Sequence, residues 1–87
     1  MKQYLPMGSI VKIKDAKRKT IIVGRLQRRT DSDEIYDYSG LLYPVGSVEN
    51  KIFLFNEGDI SEVIFRGYCD IEEQEFVKFL NSSIEQA

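Results

Sequence analysis

Histidine and tryptophan are absent from this 87-residue sequence, cysteine occurs once and proline twice. Without histidine, the commonest general base and the commonest imidazole metal ligand are both missing. Cys69 alone can build neither a multi-cysteine zinc site nor an internal disulfide. It fits a reducing compartment, and its expected role is structural and buried, because free cysteine behaves as a small hydrophobe. The acids Asp31, Asp33, Glu34 and Asp37 superficially resemble a calcium loop. With Asp31 in first place, however, Tyr36 stands where the turn glycine belongs and Leu42 where the bidentate acid belongs. The six glycines are scattered, so no phosphate-cradling loop is present. These gaps exclude the usual catalytic designs, and no enzyme activity, cofactor or metal is expected. No apolar run has the length of a signal peptide or a membrane span, which leads us to expect a cytoplasmic protein.

What is present suits one small domain covering residues 1–87, with 43% hydrophobic and 30% charged residues. The charge is unevenly distributed. Residues 1–29 hold nine Lys or Arg against the single acid Asp15, whereas residues 30–87 hold three against thirteen acids. Such asymmetry can mark a face for an acidic partner or nucleic acid. The plainer reading, which we favour, is that the two halves attract each other within the fold.

The most structured stretch runs from Ser39 to Tyr68. Tyr43-Pro44-Val45-Gly46 has the make-up of a tight turn, since proline pre-sets one backbone angle and glycine accepts angles closed to other residues. A strand is expected to follow directly. The apolar runs Ile52 to Phe55 and Val63 to Phe65, separated by the turn residues Asn56 to Asp59, read as a β-hairpin-like unit. Leu5-Pro6-Met7-Gly8-Ser9-Ile10 echoes Tyr43-Pro44-Val45-Gly46-Ser47-Val48, two uses of one strand-launching turn. From Ile10 to Lys14, Val11 and Ile13 alternate with Lys12 and Lys14, the signature of a strand with one buried face. After a polar turn at Asp15 to Arg18, Lys19 to Leu26 forms the second strand of a hairpin. Its consecutive Ile21, Ile22 and Val23 suggest a central position partly covered on both faces, and Gly24 suggests a bulge or the close approach of another backbone. Gln27 to Glu34 reads as an exposed loop, and Ile35 to Tyr38 is expected to resume as strand.

Past Tyr68 the period becomes helical. Asp70 followed by Glu73 makes a capping-box-like start, and Phe76, Val77, Phe79, Leu80 and Ile84 form one stripe. The Phe76, Phe79, Leu80 part of the stripe is expected to attach the helix to the sheet; were Phe79 exposed instead, the stripe would be a docking surface. The predicted fold is α+β: a twisted, mainly antiparallel sheet of about five strands, open or curled into a small barrel, with one C-terminal helix.

Two partner surfaces stand out. Tyr36, Tyr38, Leu41, Leu42 and Tyr43 crowd around Gly40 beside turns, and some of them are expected to remain accessible for binding another protein, with Tyr36 and Tyr38 on one strand face. Alternatively, Lys12, Lys14, Lys17, Arg18, Lys19, Arg25, Arg28 and Arg29 could line the first hairpin as in small RNA-binding barrels. Tyr4 is the one aromatic in that half for base stacking, and the acidic remainder repels phosphates, so nucleic acid is disfavoured.

Taken in order, LPMGSIVKIK, IIVGRLQ, YDYSGLLYPVG, LFNEGDISEVIFRGY and the acidic helix start resemble a small domain-of-unknown-function family encoded beside LXG toxins in type VII secretion loci of Gram-positive bacteria. The resemblance covers nearly the whole chain. It implies a noncatalytic cytoplasmic accessory or targeting chaperone that binds the helical N-terminal domain of an LXG toxin, together with small helical partner proteins, before export. It brings no catalytic motif and no cofactor.

Overall fold

The computed structural model describes residues 2–48 and 51–85. Five strands, β1 (Ile10–Ile13), β2 (Lys19–Arg28), β3 (Ile35–Leu42), β4 (Phe53–Phe55) and β5 (Ile60–Phe65), precede one helix, α1 (Ile71–Glu85). The sheet has the order β4-β3-β2-β1-β5 with every pairing antiparallel. The fold is α+β, with β2 at the centre of the sheet, where its three consecutive β-branched residues had placed it.

The expected hairpin between the last two strands does not form. β4 pairs with β3 and β5 pairs with β1, so the two strands occupy opposite edges of the sheet. Yet only Asn56–Asp59 connects them, with a 3-10 turn over Glu57–Asp59. Four inter-strand gaps of about 4.8 Å would separate the edges of a flat sheet by about 19 Å. The link from Phe55 to Ile60 reaches at most about 17 Å fully extended, and less with a 3-10 turn in it. The sheet must therefore coil. Its edges approach each other, but no β4–β5 ladder closes it into a barrel.

Three register shifts accommodate this curvature, two in the β1–β5 ladder and one in the β2–β3 ladder between Ile22 and Gly24. The expected bulge at Gly24 is thus present, and it has a consequence for the core. Cross-strand partners share a face, and Val11 opposite Thr20 and Ile22 opposite Gly40 are buried inner pairs. Beyond the bulge the phase flips, so Arg25, opposite the core residue Tyr38, also points inward.

The hairpin turn without glycine is made by Asp15, which takes a left-handed backbone at φ 63°. Gly8 (φ 87°) and Gly46 (φ 74°) adopt the same region two residues after Pro6 and Pro44, so the two echoed segments do share a turn device. Only the first launches a strand, however. Tyr43–Pro44 is a cis peptide, Gly46 donates back to the Leu42 carbonyl at 2.8 Å, and β4 begins only at Phe53. β3 runs on through Ser39–Leu42 because Gly40 is a packing glycine. A Cβ there would stand 2.4 Å from the Thr20 methyl and 3.0 Å from the Phe55 ring.

Tyr4, Leu5, Val11, Ile22, Tyr38, Phe55 and Leu80 form the core. The Tyr38 ring lies at its centre, edge-on to Tyr4 at 6.1 Å and tilted against Phe55 at 5.6 Å. The N-terminal segment is therefore an inner strap, not merely a lead-in to β1. It is fastened by the Leu5 N–H donating to Tyr38 Oη at 2.9 Å and by Asn81 of α1, which bonds the Lys2 backbone at both N–H and C=O.

Asp70 caps α1, its carboxylate accepting from the Glu73 N–H at 2.9 Å. The attachment of the helix differs from the expected stripe. Leu80 is buried and Val77 packs on the core, but Phe76 and Phe79 are 45% and 62% exposed and lie against each other with ring centroids 6.0 Å apart. A stripe of five apolar residues is broader than the contact this small core offers, so the helix seats on one edge of it. Phe79→Ala is accordingly expected to change stability by no more than about 0.5 kcal/mol, read as an unaltered urea midpoint. A loss of several kcal/mol would show that the ring is buried in solution.

Candidate partner-binding surfaces

The two charge halves meet at ion pairs. The Lys2 ammonium contacts Asp37, whose other oxygen accepts from the Glu57 N–H at 2.8 Å. Arg25, its side chain only 3% exposed, forks onto Glu73 through both terminal nitrogens and also donates to the Leu5 carbonyl at 3.2 Å. Its guanidinium lies 5.3 Å from the Phe76 ring centroid. One inward arginine thus joins β2, the N-terminal strap and α1. Arg29 is matched by Asp31 at 3.0 Å on the surface, a hydrogen bond that holds the Asp31 carboxyl below its usual range. Asp31, Asp33, Glu34 and Asp37 do not converge. Among the described residues no three acidic or cysteine side chains gather as a metal site.

β3 divides the five residues singled out as partner contacts between its two faces. Tyr38 is fully buried and cannot touch a partner; burial pushes its phenol up to about 12. Its register with Arg25 fixes this, because the Gly24 bulge turns that pair into the core. Tyr36 shares its strand face but sits at the rim, half-buried, donating its hydroxyl to Glu34 at 2.8 Å. Leu42, opposite Thr20, also faces inward, where it lines an open apolar hollow of about 490 Å³ with Ile13, Phe53 and Phe55. Leu41 and Tyr43 lie on the other face.

Among the described residues no helix lies over that outer face, since Leu80 seats α1 on the inner set. Its ladder registers line up two rows. Phe65, Ile10, Ile21 and Leu41 are successive cross-strand partners, an apolar row running over β5, β1, β2 and β3. Beside it Glu62, Lys12 and Lys19 are successive partners, and the Lys19 ammonium reaches to 5.7 Å from the Tyr43 ring centroid. This charged row, Glu62 included, lines a hollow of about 540 Å³ together with Tyr43, Lys17, Arg18, Pro44 and Ile64. Phe65, Ile64 and Tyr43 are exposed. A second apolar surface is the Phe76–Phe79 pair on α1.

A profile of a domain of unknown function, DUF4176, matches residues 4–76, most of the chain. The chain belongs to the DUF4176 family. No curated protein and no solved structure matches it. The matched span of the DUF4176 domain contains the whole sheet, the strap from Tyr4 and the capped start of α1.

Several of the residues read as a nucleic-acid face in this DUF4176 chain have other occupations. Arg25 is internal, Arg29 is paired with Asp31, and Tyr4 is 3% exposed, so it offers no ring for stacking. Cys69, expected to be buried, is exposed. No helix among the described residues is long and apolar enough to cross a membrane. The outer rows were missed because each strand was read separately. The clue was the mirror placement of Ile10 and Ile21, and of Lys12 and Lys19, about the Asp15 to Arg18 turn. A hairpin register drawn through that turn pairs both sets.

Proposed function

We propose that this DUF4176 protein is a noncatalytic cytoplasmic accessory or targeting chaperone that binds the helical N-terminal domain of an LXG toxin of a type VII secretion system. The supporting observation is the outer sheet face opposite α1, where the exposed Tyr43 and Phe65 flank the half-buried Leu41, Ile21 and Ile10. A broad apolar face only partly covered on so small a domain suits a protein partner better than a small-molecule substrate. The ordered resemblance of the chain to proteins encoded beside LXG toxins supplies the identity of that partner. Small helical partner proteins would have the Phe76–Phe79 surface of α1 to pack against, in the manner of helix-in-groove recognition.

The test is co-expression of the tagged protein with the genes of its own locus, followed by affinity purification. Recovery of the LXG protein in a stoichiometric complex is the expected result, with Leu41→Ala and Tyr43→Ala reducing recovery while leaving the fold intact. Purification of the chain without any LXG protein would refute the proposal.

A further inference from the structure

Resting on that reading of the outer face as a protein-docking surface, we infer that the element it receives is an amphipathic helix whose apolar stripe is flanked on one side by carboxylates. The geometry of the two rows carries this. Phe65, Ile10, Ile21 and Leu41 cross four strands in line, a length of about 14 Å at the usual strand spacing. That is the rise of about nine helical residues, so side chains on two to three successive turns of one helix can follow the row. The charged row lies two residues along β1 and β2, about 7 Å away, and three along β5, where a register shift intervenes. This is the distance at which the flank of a helix 10–12 Å across meets the sheet.

The sign of the flank follows from the cations. Lys12 and Lys19 are directly opposed across the β1–β2 ladder, an unfavourable like-charge pair. Neither forms an ion pair among the described residues, although Glu62 is the other cross-strand neighbour of Lys12. Lys17 and Arg18 add to the same end of the face, around the hollow beside Tyr43. Carboxylates one helical turn apart, about 6 Å along the axis, fall over the adjacent lysines and relieve their repulsion. Glu62 at the β5 end excludes a carboxylate there, so the acids belong to the half of the docked helix that lies over β1 and β2. A nucleic acid fits this face less well. It would meet two exposed rings, Tyr43 and Phe65, at opposite ends of the face, with the aliphatic Ile10, Ile21 and Leu41 between them in place of a continuous stacking platform.

The inference is tested with three probes against the isotope-labelled chain. One is a synthetic helix with a leucine stripe and glutamates along one flank, the second is its twin with lysines in place of the glutamates, and the third is a single-stranded RNA oligonucleotide. The glutamate peptide is expected to shift the amides of Ile10, Lys12, Lys19, Ile21 and Leu41. It should bind roughly tenfold more tightly than the lysine twin, with Lys12→Glu/Lys19→Glu reversing that order. Equal response to the two peptides, no response to either, or a response to RNA alone overturns the inference. The LXG assignment fails separately, when the co-expressed locus yields no complex. A recovered LXG complex unaffected by Lys12→Glu/Lys19→Glu would overturn the acidic flank while leaving that assignment in place.

Discussion

Glu73→Ala is expected to lower the stability of the domain by about 3–5 kcal/mol, a large part of what so small a fold possesses. The loss comes from stranding a buried charge. The Arg25 side chain is 3% exposed and the Glu73 side chain 14%, and the carboxylate is the only anion that meets the guanidinium among the described residues. The Leu5 carbonyl remains as an acceptor after the substitution but does not neutralise the cation. The cap itself survives, because Asp70 receives the backbone N–H of residue 73 and not its side chain. Urea denaturation gives the measurement. The companion experiment is the double variant Arg25→Met/Glu73→Leu, which removes both charges and fills their space. It is expected to recover most of the loss, since an apolar pair of similar volume commonly matches a buried ion pair. A Glu73→Ala variant within 1 kcal/mol of the parent would mean that water reaches Arg25, and the assignment of this pair as the clasp between β2 and α1 would fall.

Tyr38→Ala is expected to cost about 3–5 kcal/mol, as for other large aromatic residues cut back to alanine in a core. The ring is fully buried between Tyr4 and Phe55, and it stands opposite Arg25 in the central ladder. Tyr38→Phe isolates the hydroxyl. It leaves the buried Leu5 N–H without its acceptor, at a cost of about 1–3 kcal/mol. The phenol also predicts a pH dependence. Burial raises it to about 12 in the fold, against about 10 for an exposed tyrosine. Its neutral form is therefore the one the native state favours, and the associated stability is complete below pH 10. As the pH rises from about 10 to about 12, the unfolded chain ionises first and stability declines, by on the order of 2 kcal/mol from this group. Denaturation midpoints compared across that window should show the parent converging on Tyr38→Phe. Parallel curves would show that the phenol is already solvated in the fold.

Much of the local structure was legible in the sequence. The alternation of Val11 and Ile13 with lysines, the β-branched run Ile21 to Val23, the glycine at the bulge and the Asp70 cap each depend on residues within a few positions of one another. Backbone preference and period are enough to read such features. The α+β class followed from them, since strands of period two were succeeded by one capped helical stripe.

What escaped was the meeting of segments distant in the chain. The pairing of β4 with β3 and of β5 with β1 is a choice among distant strands, and adjacent apolar runs separated by a turn look alike whether they pair or part to opposite edges. The inward turn of Arg25 depends on the bulge two positions before it, which changes the parity of every later residue in β2. A basic residue expected on the surface thereby became the centre of the core's one buried ion pair among the described residues. Alternation along β3 separated Tyr36, Tyr38 and Leu42 from Leu41 and Tyr43, five neighbours that the sequence presented as one cluster.

By itself, then, the sequence determined the element types, the hairpin, the cap and the lack of histidine-based or multi-cysteine chemistry, because these rest on composition and short-range stereochemistry. Tertiary structure alone decided the coiled sheet, the buried strap at Tyr4 and Leu5, the exposure of Phe76 and Phe79, and the joining of Phe65, Ile10, Ile21 and Leu41 into one row. Each is set by a ladder register or by the limited area of a small core, quantities that belong to no single segment of the chain.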